Sequence, residues 1–208
     1  MKNKRIYLPI ETKKRELDAL ILFSLEAIRQ NYSIILSTKQ NLNSSLKYLK
    51  SGIYLMKSIG VKNFNFIKSL KYLGHKVVSV DVEGSHYFHK DKLINRVSKA
   101  NLKQMDYFFT WGNKQMKDLK NLYPNEAEKL IITGHPRVDI LKEKNNKIYK
   151  KEARLIKQEH GKFILITTFF PVYNFFRREK VNSPRDMLKF AKYTGTNLAR
   201  LGEKFLIH

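Results

Sequence analysis

Ionisable side chains follow several apolar runs of this 208-residue chain, at the points where buried strands would end. Glu11 follows the run RIYLPI, Lys57 follows GIYLM, and Glu83 ends the valine-rich stretch HKVVSVDVE. A carboxylate at such a place can accept a proton from a hydroxyl group, and a cation beside it can hold an anionic or hydroxylated ligand. We therefore predict Glu11 and Glu83 as catalytic residues and expect the substrate to bind around them.

The predicted substrate-binding residues share one property, a place in or near a loop that follows a predicted strand. They are Lys14, Arg15, Lys57, Gly84, Trp111, Gly112, Gly134, His135 and Arg137. Plain structural roles stay open beside the functional ones. Glu11 and Glu16 would each favour the start of a helix, Trp111 could simply pack, and Arg137 could pair with Asp139.

Six apolar runs alternate with amphipathic segments, and this alternation predicts the fold. The runs cover 5–10, 32–38, 52–58, 75–84, 105–112 and 128–134, and the helical segments cover 14–30, 42–51, 61–74, 90–104 and 113–124. Such a β-α order is typical of the α/β class with a doubly wound, mostly parallel, Rossmann-like sheet. In that architecture ligands bind beyond the carboxyl ends of the strands, where the candidate residues lie.

The pattern also predicts a domain organisation. Residues 1–141 would form a Rossmann-like N-terminal domain, and the charged segment 142–161 would be a linker helix. Residues 162–208 would be the incomplete beginning of a second domain, with a strand over 162–170 and helices over 183–205.

Several classes of protein are disfavoured by what the sequence lacks. There is no cysteine, no dinucleotide or P-loop glycine motif and no H-E-x-x-H zinc motif. His86 and His89 have no accompanying carboxylate cluster, so we expect a surface pair, no metal and no cofactor. No apolar run spans a bilayer and the N-terminus lacks the apolar core of a signal peptide, so we expect a cytoplasmic protein.

The charge is strongly basic, with 41 Lys and Arg against 18 Asp and Glu, or +23. Nucleic acid, an anionic membrane surface, phosphate-bearing substrates and a compositional bias toward Lys, Asn and Ile would each explain it. The lysines are spread along the whole chain, which favours the bias. The aromatic runs YFFTW and ITTFF fall in predicted buried strands, so no specific nucleic acid is expected.

Five segments occur in an order that resembles a known family. They are LPIETKKRELDALILFSLEAIRQ, KSGIYLMKSI, LKYLGHKVVSVDVEG, DYFFTWGNKQ and ITGHPRVDIL. Together they resemble bacterial surface carbohydrate biosynthesis proteins, which make lipopolysaccharide O-antigen or capsule and are similar to GT-B glycosyltransferases. The resemblance implies transfer of a sugar from a nucleotide-sugar donor to a lipid-linked glycan acceptor, at the inner face of the cytoplasmic membrane.

The resemblance also implies roles for residues. The N-terminal domain would handle the acceptor, with Glu11 as general base and Glu83 second, and His135 and Arg137 would lie where this domain meets the linker. The donor-side domain would be mostly absent, which leaves an inactive protein or one completed by a partner chain as expectations. A sugar-nucleotide epimerase of GT-B type and a basic nucleic-acid-binding protein stay open as alternatives.

Overall fold

The computed structural model describes residues 4–85, 87 and 90–165, without the side chains of Lys90 and Asp91. Six strands form one sheet in the order β2-β1-β3-β4-β5-β6, and every neighbouring pair is parallel. The strands are β1 (Lys4–Ile10), β2 (Tyr32–Thr38), β3 (Ile53–Met56), β4 (Lys76–Val80), β5 (Tyr107–Thr110) and β6 (Leu130–Ile132). The predicted α/β class with a doubly wound parallel sheet is confirmed.

Helices connect the strands, and short 3-10 segments extend several of them. The helices are α1 (Lys13–Arg29), α2 (Lys39–Ser44), α3 (Phe64–Tyr72), α4 (Lys90–Arg96), α5 (Lys99–Gln104), α6 (Asn113–Leu122), α7 (Pro136–Asp139) and α8 (Lys150–His160). The 3-10 segments are Leu46–Tyr48, Val61–Asn63, Pro124–Lys129 and Asn146–Tyr149. Gly74 ends the α3 connection with φ 78°, the left-handed conformation expected of a glycine after a helix.

The sheet is covered on both faces because successive side chains of a strand point to opposite sides. Tyr7 belongs to the larger core, to which α3, α5 and α6 contribute, and its neighbours Ile6 and Leu8 belong to a smaller core beneath α1. Leu8 and Phe108 are fully buried. The two cores fix the register of the strands and thereby the positions at which their carboxyl ends stop.

The strand order reverses between β1 and β3. From β1 the chain runs outward through α1 to β2, then returns to the other side of β1 to form β3. The loops after β1 and β3 therefore lead away in opposite directions, which opens a crevice at the carboxyl edge of the sheet. This reversal point positions the candidate site.

The helix predicted over 90–104 is wrong as a single element, since the structure has α4 and α5 with a break between them. Val97 forms a parallel bridge to Ile59, and the Ser98 N–H donates to the Ile59 carbonyl oxygen at 3.0 Å. The Asn101 side chain donates to the Ile59 and Gly60 carbonyls. Backbone pairing with the loop after β3 replaces one helical turn, which no local pattern foretells.

The chain divides into two compact units, residues 1–153 and residues 154–208, and the sheet lies in the first unit. The predicted linker helix begins only at Lys150. Residues 162–165 are not in a strand, whereas 166–170, the predicted helices over 183–205, and His86 and His89 lie outside the described residues. Within the described part, no helix has the length and apolar character to cross a bilayer.

Candidate functional site

A cleft of about 330 Å³ lies at the carboxyl ends of β1, β3 and β4, next to the reversal of strand order. Its ionisable lining side chains are Glu11, Lys39, Lys57, Asp81, Glu83 and Arg96. Ser58, Asn63, Tyr54 and Phe66 also line it. Two charge networks, one on each side, organise this cleft.

The first network holds Glu11 between two lysines. The Lys39 Nζ lies 2.6 Å from Glu11 Oε1, and the Lys57 Nζ lies 2.8 Å from Glu11 Oε2. Lys57 also contacts Glu16 Oε1 at 2.8 Å, and Glu16 Oε2 accepts the Glu11 backbone N–H at 2.9 Å. Glu16, nearly buried on α1, therefore fixes both Lys57 and the backbone of Glu11.

The same contacts set the protonation of the two carboxyl groups. Partial burial acts to raise the pKa of Glu11, but hydrogen bonds and charge from Lys39 and Lys57 outweigh it and lower that pKa below its usual value. Burial and Lys57 act on Glu16 in the same opposed way, and its pKa is also lowered. Both groups are ionised at neutral pH, and Glu11 is a weaker base than a carboxylate with a pKa near 7.

The second network centres on Asp81, which is only 2% exposed. Its Oδ1 accepts from the Arg96 guanidinium and from the Glu83 N–H, and its Oδ2 accepts from Gln115 Nε2 at 3.0 Å. Its backbone carbonyl accepts the indole N–H of Trp111. Both carboxylate oxygens of Asp81 are therefore occupied, and they hold Arg96 at the cleft and fix the turn that follows β4.

That turn carries Glu83 and Gly84. Glu83 is exposed at the cleft, and its carboxylate has no ion-pair or hydrogen-bond partner among the described residues. A Cβ at Gly84 would lie 2.5 Å from Trp111 Cδ1 and 2.5 Å from Gln115 Nε2. Only glycine fits there without displacing the indole, so the turn is packed against Trp111.

A second cavity of about 480 Å³ lies behind this turn. Gly84, Trp111 and Gly112 line it, together with Tyr87 and Lys114. The Lys114 ammonium lies 3.9 Å from the centre of the Tyr87 ring, a cation–π contact. Three of the predicted substrate-binding residues therefore lie in a different cavity from Glu11 and Lys57.

The segment after β6 supports the turn from another side. The His135 ring stacks on Trp111 with 4.5 Å between centroids and 24° between planes, and its Nδ1 accepts the Arg137 N–H at 3.1 Å. Burial, then the nearby charge of Arg137, lowers the pKa of His135 to about 4, so the ring is neutral at pH 7. The Arg137 guanidinium donates to the Val82 carbonyl at 3.2 Å, and Gly134 has φ 76°.

The structure thus brings Glu11, Lys57 and Glu83 together in one cleft. Lys14 and Arg15 are exposed on α1 outside its walls. His135 and Arg137 do not line the cleft but line an adjoining cavity of about 40 Å³, which they share with Lys57 and Glu16, and Gly134 lines neither cavity. All of these site assignments stay predictions. Within the described residues, no group of three or more His, Asp or Glu side chains could hold a metal ion.

The site residues predicted from the sequence do not include three side chains that line the cleft, Lys39, Asp81 and Arg96, and Glu16 is predicted only to favour a helix start. Lys39 follows β2 directly and Asp81 follows β4, so the strand-end rule that selected Glu11 applies equally to them. Arg96 lies at the end of a helix and reaches the cleft only through its contact with Asp81. No spacing in the sequence points to that contact.

No family model matches the sequence. No curated protein matches it either. Among solved structures, the chain is similar to a candidate UDP-N-acetylglucosamine 2-epimerase from Listeria monocytogenes, with a TM-score of 0.49 and 12% identity over 88% of this chain. The chain spans only 56% of that protein's length, and a similarity at this level carries no argument about activity.

Proposed function

We propose that this chain is the acceptor-side domain of a GT-B-type glycosyltransferase of surface polysaccharide biosynthesis. In this proposal the cleft binds the terminal sugar of a lipid-linked glycan, and Glu11 accepts a proton from its attacking hydroxyl group. The observation that carries it is the carboxylate of Glu11 at the strand-order reversal, held by Lys57 and Glu16. Ligands of open parallel sheets bind at this point.

The lining of the cleft suits a polyhydroxylated ligand. Carboxylates and cations alternate along it, so a sugar would find acceptors and donors at short intervals. The partly exposed ring of Phe66, which packs edge-to-face on the buried Tyr54 at 5.6 Å, adds apolar surface for the C–H face of a sugar. A nucleoside diphosphate fits less well, because each lining cation already contacts a carboxylate. The donor would therefore bind elsewhere.

Glu11 would accept the proton once the acceptor hydroxyl replaces Lys39 at its Oε1. The Lys39 side chain is 42% exposed, so its pair with Glu11 Oε1 contributes little and can be exchanged for a hydroxyl group. The acceptor oxygen would then form a bond to the anomeric carbon of the donor, and its proton would pass to Glu11. The bond from that carbon to the phosphate oxygen would break, and the nucleoside diphosphate would leave with the electron pair.

The test is a transfer assay with the whole chain, nucleotide sugars and lipid-linked glycans, alone and with the product of any neighbouring gene that encodes a donor-side domain. We expect a glycan lengthened by one sugar, and a fall of about 10²–10⁴-fold in rate with Glu11→Gln. Glu128→Gln is the matched control. Glu128 lies near the amino ends of the strands, at the end of the sheet opposite the cleft, so this variant should retain the rate. Absence of both transfer and acceptor binding would overturn the proposal, and interconversion of the nucleotide sugar without transfer would favour an epimerase.

A further inference from the structure

The charge of the cleft contrasts with the charge of the whole chain. The chain carries +23, whereas the cleft is lined by three acids and three bases. Glu16, which contacts Lys57 from behind, adds a fourth carboxylate. The formal sum of the cleft and its supporting residue is therefore −1, so the basic surplus of the protein is not in its candidate site.

Each cation of the cleft is already held by a carboxylate. Lys39 contacts Glu11, and Lys57 contacts Glu11 and Glu16 at 2.8 Å each. The guanidinium of Arg96 contacts Asp81. An anionic ligand would have to displace these carboxylates or share their cations, whereas a hydroxyl group can accept from a cation that keeps its ion pair.

Glu83 is the one described lining carboxylate that pairs with none of the three cations of the cleft. Its backbone N–H is fixed by Asp81 Oδ1 at 3.2 Å, and its side chain is exposed at the cleft without a partner among the residues described. A hydroxyl or amino group of a ligand could donate to it. A carboxylate or phosphate placed there would meet like charge that no described residue pairs with.

We propose that the cleft selects an uncharged sugar and that Glu83 is the specificity-determining residue that disfavours acidic sugars. This inference rests on the proposed function only in taking the ligand to be a sugar. The acceptor would then end in a neutral sugar, and the acidic sugars found in many polysaccharides would be excluded from this step.

The test compares two probes that differ only at C6, methyl glucoside and methyl glucuronide, with the galactose pair in parallel. Binding to the whole chain is followed by saturation-transfer NMR and by shifts of residues that line the cleft. Two variants carry the same change in net charge, Glu83→Lys in the cleft and Glu128→Lys on the opposite edge of the sheet, where Glu128 is also exposed.

We expect wild type and Glu128→Lys to prefer the glucoside, and Glu83→Lys to shift the preference toward the glucuronide by about fivefold to tenfold. Equal or tighter binding of the glucuronide to wild type would overturn the selectivity while leaving sugar binding intact. An equal shift in both variants would assign the effect to overall charge and also overturn the inference. Failure of every probe to bind the wild type would overturn the proposed sugar-binding function itself.

Discussion

The carboxyl edge of the sheet, where the strands end, and the amino edge, where they begin, differ in how their charged side chains are paired. At the carboxyl edge, the cleft pairs each lysine and arginine with a carboxylate. At the amino edge, an open groove of about 710 Å³ is lined by Lys71, Lys76, Lys103, Lys129, Asp106 and Glu128. We call it the amino-edge groove. Lysines there outnumber acids, and Lys76 and Lys103 have no ion-pair partner within the described part of the chain.

The contrast shows that the surplus of basic side chains and the candidate cleft lie at different ends of the strands. Asp106 of the amino-edge groove holds Lys71 and accepts the Val77 N–H, both at 2.7 Å, so it braces the start of β4. Asp81 at the other end of β4 instead directs Arg96 into a cavity. The same residue type supports a strand at one edge and shapes the candidate cleft at the other, because the carboxyl edge is where the loops diverge.

The largest effect is expected when the two aspartates are compared. Asp81→Ala removes the partner of the partly buried Arg96 charge and of the buried Gln115 amide, and should cost about 2–4 kcal/mol of unfolding free energy. Asp106→Ala, at a more exposed pair, should cost about 1–2 kcal/mol. Urea unfolding measures both values. Equal costs would contradict the contrast between the edges.

Two glycines give the next comparison. A Cβ at Gly84 would meet Trp111 and Gln115 at 2.5 Å, and one at Gly52, before β3, would meet the Arg5 carbonyl oxygen at 2.8 Å. Each Gly→Ala variant should lose about 1–3 kcal/mol of stability. Only Gly84→Ala should also weaken sugar binding, because its clash displaces the turn at the cleft.

Gly112→Ala is the control for this pair, since no atom lies within 4 Å of its added Cβ. It should change stability little, and it should change binding in the cleft little because Gly112 lines the separate cavity behind the turn. Weaker binding by Gly52→Ala, with a stability loss like that of Gly84→Ala, would show that general loosening of the sheet, and not the turn, governs the cleft.

The smallest expected effect concerns two buried histidines, His75 at the amino edge and His135 at the carboxyl edge. Burial lowers both pKa values, for His75 with only a partial offset from the Gly52 backbone, and for His135 to about 4. The neutral forms are therefore favoured by folding. Their stabilisation is complete above pH 6.5, the usual histidine value, and is lost as pH falls toward the folded-state pKa.

Replacement of each histidine by Phe should distinguish their contributions to stability. His135→Phe removes the acceptor of the Arg137 N–H and should cost about 1 kcal/mol at neutral pH, whereas His75→Phe should cost little, because the ring nitrogens of His75 make no hydrogen bond of good geometry. His135→Phe should also reduce the stability difference between neutral pH and about pH 4.5 by about 2 kcal/mol. Urea unfolding at both pH values checks this.

The fold was predictable from the sequence because its signals are local. Strand β2 has the predicted bounds 32–38, since YSIILST is centred on three consecutive aliphatic residues and lies between two polar segments. The positions of Glu11 and Lys57 followed from the rule that the carboxyl ends of parallel strands share one edge. That rule needs only the alternation of strands and helices.

The rest of the site depends on contacts between distant parts of the chain. Arg96 reaches Asp81 because α4 stops at the bridge between Val97 and Ile59, and the predicted continuous helix hid that stop. Glu16 looks like an ordinary acid in the first turns of a helix, yet it bonds back to the N–H of Glu11. Both roles arise from tertiary geometry, which periodicity does not encode.

The position of Trp111 makes the candidate site observable by intrinsic tryptophan fluorescence. The chain has a single tryptophan, and its ring lies against His135 while its N–H reaches the residue that holds Arg96 in the cleft. All indole emission of the protein therefore originates beside the candidate site. A change in that emission during a ligand titration would report on this corner of the molecule without any attached dye.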